Sequence, residues 1–90
     1  MNKAIITVVG RDCVGIIAKT CTYLSENNIN ILDINQTIVQ EYFNMMMIVD
    51  LSGTGKNFDT VSEELAAVGE TIGVRIHIQR EEIFTSMHRI

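Results

Sequence analysis

Alternation of period two and spacing of period 3.6 divide this chain of 90 residues into six segments and a tail. Lys3 to Val9 is a β-branched run with apolar residues on both parities, which predicts a central strand covered on both faces. Val14 to Asn27 places Ile17, Cys21 and Leu24 on one helical face, and Asn27-Asn28 makes a natural stop. Asn30 to Val39 alternates again, with Leu32, Ile34 and Ile38 on one parity and Asp33, Asn35 and Thr37 on the other. Gln40-Glu41 reads as a turn, and Tyr42 to Leu51 as the returning strand of a hairpin, with Phe43, Met45, Met47, Val49 and Leu51 on one face. After a loop over Ser52 to Asn57, the stripe Phe58, Val61, Leu65, Val68 predicts a second helix that Gly69 ends. Val74, Ile76 and Ile78 alternate with Arg75, His77 and Gln79, a fourth strand with a polar outer face. In the tail, Ile83, Met87 and Ile90 with Phe84 suit a short amphipathic helix, marginal unless it docks.

The order β-α-β-β-α-β predicts an α+β fold of the ferredoxin-like type. Right-handed crossovers then give a four-stranded antiparallel sheet with both helices on one face, plus the short C-terminal helical tail. Residues 1–80 are expected to form this one domain and residues 81–90 the tail. Many unrelated functions use the fold, so it does not decide function. Hydrophobic residues at 47% and charged residues at 20% are ordinary for a globular domain and argue against disorder. The apolar runs are short, so no membrane span is expected. The N-terminus goes straight from Met1-Asn2-Lys3 into alternating residues, without a signal-peptide core, so the cytoplasm is the expected compartment. A net charge of −4 with scattered basic residues opposes nucleic acid as a partner. Cys13 and Cys21 lie eight apart along a helix, about 12 Å, too far for a disulfide.

Gly10-Arg11-Asp12-Cys13-Val14-Gly15-Ile16, between the first strand and the first helix, is where chemistry concentrates. The two glycines permit a tight turn and close helix–sheet packing, with Asp12 the better N-cap chemically and Cys13 the alternative. The same geometry aims backbone N–H groups near Cys13 to Ile16, helped by the helix dipole, at a carboxylate. Asp12 would then accept from an ammonium group, which is the minimum chemistry for holding a free amino acid. The spacing alone leaves both readings open.

This loop, followed by Asn28-Ile29-Asn30-Ile31 entering the second strand, resembles an ACT domain over nearly all of Lys3 to Arg80. Most members carry Asp or Asn, any residue, Pro, Gly and an aliphatic residue here. Asp12, Gly15 and Ile16 match, and Val14 stands in place of the proline, giving up the fixed φ that proline supplies at a helix start. The form Arg-Asp-x-Val-Gly-Ile resembles glycine-cleavage-repressor-like proteins and small stand-alone ACT proteins. The ending Phe84-Thr85-Ser86-Met87-His88-Arg89-Ile90 is similar to the latter group. The resemblance implies a small-ligand regulatory module, commonly a homodimer paired across an edge strand, with an amino acid or other metabolite at the interface. It implies that Asp12 and Asn30, the asparagine that opens the second strand, hold the ligand, and with the loop's own donors the candidate site is Arg11, Asp12, Cys13, Val14, Gly15, Ile16 and Asn30. Gly10 stands where some serine-binding members have histidine, which argues against serine.

Other chemistry is thinner. Cys13 near a helix N-terminus has the position of an activated thiol, but no His or Asn lies nearby to serve it. His77 and His88, eleven apart, lack metal-ligand spacing, and alternate methionines of Met45-Met46-Met47 suit a core better than a soft metal. Cys-x-x-Cys of a metallochaperone, the arginine cradle of an acylphosphatase and the stacking aromatics of an RNA-recognition module are all missing. The expected protein is therefore not an enzyme, needs no cofactor or metal, and binds a small molecule as a homodimer, passing its signal to a separate effector protein. The competing expectation is a ligand-free interaction module that assembles through an edge strand and the tail.

Overall fold

The structure, a computed structural model, describes residues 2–11 and 13–80. The predicted helix over Ile83 to Ile90 and the N-cap role of Asp12 lie outside the described residues. Six elements follow the expected order: β1 (Lys3–Gly10), α1 (Cys13–Glu26), β2 (Asn30–Val39), β3 (Tyr42–Asp50), α2 (Phe58–Ile72) and β4 (Arg75–Arg80). They form one four-stranded sheet in the order β2-β3-β1-β4 with every neighbouring pair antiparallel, the ferredoxin-like arrangement.

Alternation decides which face is buried. Ala4, Ile6 and Val8 of β1, Phe43, Met45, Met47 and Val49 of β3, and Ile76 and Ile78 of β4 turn toward the helices. There they meet Ile16 and Leu24 of α1 and Val61 and Leu65 of α2. Each of these side chains other than Ala4 contributes about 1.5–3 kcal/mol by leaving water. Met45 and Met47 are fully buried while Met46, between them, faces the other way at 39% exposure, so two of the three methionines are core packing.

Three local readings change. In α1 the buried positions are Ile16, Thr20, Tyr23 and Leu24, while Ile17 and Cys21 are only half-buried. The face is rotated because Thr20, polar by class, is fully buried; its hydroxyl finds no hydrogen-bond partner among the described residues. α2 does not end at Gly69. Gly69 is buried inside the helix, where a Cβ would lie 2.8 Å from the Val74 carbonyl oxygen, so the missing side chain admits β4 rather than stopping the helix. The helix stops at Gly73, whose φ of 72° is left-handed. The Val74 N–H donates to Gly69 O at 2.9 Å and the Gly73 N–H to Glu70 O at 3.3 Å, closing a Schellman turn. In β2, a bulge falls between Ile31 and Asp33, leaving Leu32 outside the pairing and placing Ile31, opposite Val49, on the face of Ile34 and Ile38.

β2 is the unusual element. Every one of its residues is exposed. Ile31, Ile34 and Ile38 pair with Val49, Met47 and Phe43 and therefore project from the same face as the core, yet are 37%, 41% and 67% exposed. The sheet extends beyond its helical cover, and an apolar edge is left in the open.

Candidate functional site

The loop singled out by the sequence begins where β1 ends. At Gly10 an added Cβ would lie 2.3 Å from Val74 Cγ1 and 2.8 Å from Ile16 Cδ1, so glycine is needed for β1, α1 and the start of β4 to converge. Arg11 follows, and α1 opens at Cys13. The Arg11 guanidinium donates from Nη2 to the Tyr42 hydroxyl at 3.2 Å and lies over that ring, 5.3 Å from its centroid. At an exposed site such stacking contributes about 0.5–1 kcal/mol, enough to orient the side chain. Tyr42 is brought there by the two-residue turn Gln40-Glu41, in which Gln40 takes the left-handed φ of 57° that tight hairpins require.

Of the other residues expected in the site, Val14 is 76% exposed, Gly15 is half-buried, and Ile16 is 1% exposed and packed in the core. Val14 and Gly15 each take part in interactions of their own. Cys21 is a free, half-buried thiol. Asn30 lies elsewhere. It pairs with Asp50, which pairs with Lys3, whereas the loop adjoins Gly10 and its partner Phe43. Seven residues of strand, about 23 Å, separate the two ends of the sheet. One chain thus does not bring Asn30 to the loop. Near Asn30, hydrogen bonds from the Ser52 hydroxyl at 2.6 Å and the Ser52 N–H at 3.0 Å hold the Asp50 carboxyl below the usual aspartate range.

Sequence reasoning missed what surrounds Arg11. A cavity of about 680 Å³ opens at this end of the sheet, with Arg11, Tyr42 and Arg75 as its polar lining. Val9, Ile72 and Val74 supply apolar walls, and Gly10 and Gly73 complete it. Its volume suits a small metabolite. Arg75 and Val9 are register partners on β4 and β1, so they share the sheet face turned away from the helices. Arg11 and Arg75 are 64 positions apart, and only the placement of β4 beside β1 joins them. The single available signal was Arg75 heading the polar parity of the last strand.

The second helix is anchored independently of this site. Asn57 caps α2, its side-chain oxygen accepting from the Thr60 N–H at 2.8 Å. The Tyr23 hydroxyl donates to Glu64 Oε1 at 2.7 Å, and Lys56 Nζ reaches the same oxygen at 2.7 Å, tying α1 to α2. Burial, then the Glu64 hydrogen bond, raises the Tyr23 hydroxyl above the ordinary tyrosine range.

Comparison with known proteins agrees with this architecture. A UPF0237 protein of Bifidobacterium longum is 64% identical over 90 residues, spanning 100% of both chains. An ACT domain protein from Streptococcus pneumoniae superposes with a TM-score of 0.82 at 44% identity, over 92% of this chain and 93% of that one. A structure provisionally assigned as a glycine cleavage system transcriptional repressor shares the fold alone, with a TM-score of 0.76 at 18% identity over 87% of this chain and 45% of that one. No helix among the described residues is long and apolar enough to cross a membrane. With the βαββαβ order, the loop at the end of β1 and a family model of the ACT domain that matches residues 2–79, the chain belongs to the ACT domain family.

Proposed function

We propose that the chain is a non-enzymatic, cytoplasmic regulatory module that binds a small ligand of the amino-acid class as a homodimer. ACT domain membership supports the coarse reading, a small-ligand regulatory module. The observation that carries the finer reading is the bare apolar edge of β2. β2 runs parallel to β1, so Val39 lies at the Gly10 end of the sheet and Asn30 at the other. Antiparallel pairing of two β2 strands about a two-fold axis near Ile34 and Asn35 covers Ile31, Ile34 and Ile38. It also sets the partner's Asn30 against Val39, two strands from the Arg11 loop. The ligand carboxylate then meets Arg11 and the first turn of α1, and Asp12 accepts from its ammonium group. Binding across two chains favours the paired arrangement by the ligand's difference in affinity for the two states, and a separate effector protein reads that shift.

Isothermal titration with the twenty amino acids, on protein shown by sedimentation to be a folded dimer, tests the reading. Heat from one or a few of them, lost in Asn30→Ala, is the expected result; silence across the whole panel sinks it. The exposed edge equally favours a second reading, a ligand-free module assembled through β2 and the tail. Truncation after Arg80 separates the two contributions, because a dimer that survives is held by the strand edge alone.

A further inference from the structure

The sheet face turned away from the helices is not equally open along its length. On β1 it carries Lys3, Ile5, Thr7 and Val9; Ile5 pairs with Ile48 and Gln79, and Val9 with Asn44 and Arg75. At the Gly10 end Val9 is 40% exposed, and Arg75 and His77 are exposed beside it. Toward the other end Thr7, Ile48 and Gln79 are half-buried and Ile5 is 5% exposed. Flanking strands do not account for this, because Val9 also has a strand on each side and its smaller side chain stays in the open. Among the described residues, Ile5 is the one buried apolar side chain that takes no part in the helix-side core. The connections at its end of the sheet turn toward the helices: Ile29 and Leu51 belong to that core, and Lys56 bonds to Glu64 of α2. Cover for Ile5 must come from chain outside the described residues. β4 ends at this point, since Gln79 is the register partner of Ile5 and Arg80 follows it. Residues 81–90 come next, with Ile83, Phe84, Met87 and Ile90 on one helical face. Residues 1 and 12, the other positions outside the described set, supply one side chain each, four and seven positions from Ile5.

We propose that residues 81–90 fold back over their own sheet as an amphipathic helix, setting Ile83 and Phe84 against Ile5 and carrying Met87 and Ile90 across to Ile48 and Met46. Ten helical residues span about 15 Å, and the two strand spacings from β4 over β1 to β3 take about 10 Å. The occupant is the chain's own tail and not that of a second copy. With two β2 strands paired edge to edge, the order β2-β3-β1-β4 puts the partner's β4 six strand spacings, about 29 Å, from β1, beyond the reach of such a helix. The cover stops short of Val9 and Arg75, so the cavity beside Arg11 stays open. This role for the tail rests on neither reading of function above.

Nuclear Overhauser spectroscopy on the full chain, labelled with carbon-13 and nitrogen-15, tests the placement. The Phe84 ring should contact the methyl groups of Ile5 and Ile48, and the tail should make no contact with Val9. A mixture of labelled and unlabelled chains, read through an isotope filter, separates contacts within a chain from contacts between chains, and these should all fall within one chain. Ile48→Ala and Phe84→Ala, made singly and together in the full chain, give an independent measure. The effect of the double variant on the unfolding constant should fall short of the product of the single effects by about fivefold or more, the coupling expected of residues in contact. Val9→Ala with Phe84→Ala should simply multiply. The proposal is overturned if Phe84 touches neither isoleucine, if the contacts arise only between chains, or if Ile48 couples to Phe84 no more strongly than Val9 does.

Discussion

Replacing Gly10 by alanine puts a methyl group where β1, α1 and the start of β4 converge. The new Cβ would lie 2.3 Å from Val74 Cγ1, 2.9 Å from Val74 Cβ and 2.8 Å from Ile16 Cδ1. Ile16 Cδ1 ends a flexible side chain and can swing away at small cost. Val74 Cβ cannot, because it is fixed to a backbone held by the Val74 N–H bond to Gly69 O and by the strand that follows. The strain must be relieved by moving β4 or the end of β1, and overpacking of this kind costs about 1–3 kcal/mol. Taking about 2 kcal/mol for a domain of this size, Tm should fall by about 8–16 °C. Thermal unfolding followed by circular dichroism reads that shift. Val74→Ala removes Cγ1 and leaves the milder approaches to Val74 Cβ and to the yielding Ile16 Cδ1. The double variant should therefore recover about 1 kcal/mol or more relative to the sum of the two single changes. Strict additivity, or a Gly10→Ala protein as stable as the parent, would refute the convergence described here. It would also return Gly10 to the role of an ordinary turn residue.

Four further outcomes are expected. Asn57→Ala removes the acceptor for the Thr60 N–H and should cost about 1 kcal/mol in urea unfolding with an unchanged slope, whereas Asn57→Ser should retain most of the stability. Tyr23→Phe should cost about 1 kcal/mol, because the bond to Glu64 disappears while Lys56 still holds that carboxylate. In alkaline titration of the parent, the Tyr23 phenol should ionise only above the ordinary tyrosine range. Asp50 has its folded-state pKa lowered, first by the Ser52 hydroxyl. Its contribution is present above the ordinary aspartate range and disappears as pH falls through that range and below it. Asp50→Asn should accordingly flatten the loss of stability between about pH 5 and pH 3, and equal slopes in the two proteins would contradict the assignment.

The expected secondary structure and the observed elements part company where one residue serves two masters. Thr20 counts as polar in any periodicity, yet its methyl group and position carry it into the core, so the buried face of α1 was read one step off. Gly69 has the chemistry of a helix end, and here it gives β4 room to pass. Leu32 looks like part of an alternating stripe, but the bulge leaves it without a register partner and brings Ile31 onto the face of Ile34 and Ile38. In contrast, Asn28 was legible as a helix stop because asparagine tolerates the left-handed φ of 56° it adopts. The turn Gln40-Glu41 was legible because clean alternation flanks it on both sides.

The site divides along the same line. The Gly10 to Ile16 loop and its family resemblance are carried by adjacent residues, and local chemistry was sufficient to find them. Period-two and period-3.6 burial likewise determined the six elements and their order, since each depends only on neighbours along the chain. Tertiary structure alone decided that Arg75 and Tyr42 stand beside Arg11, that Asn30 lies at the far end of the sheet from the loop, and that β2 carries its isoleucines beyond the helices. Those relations follow from the strand order β2-β3-β1-β4 and its register, which arise from contacts between segments tens of residues apart. No local pattern encodes them, because pairing is settled by which whole arrangement buries the most apolar surface while satisfying the backbone.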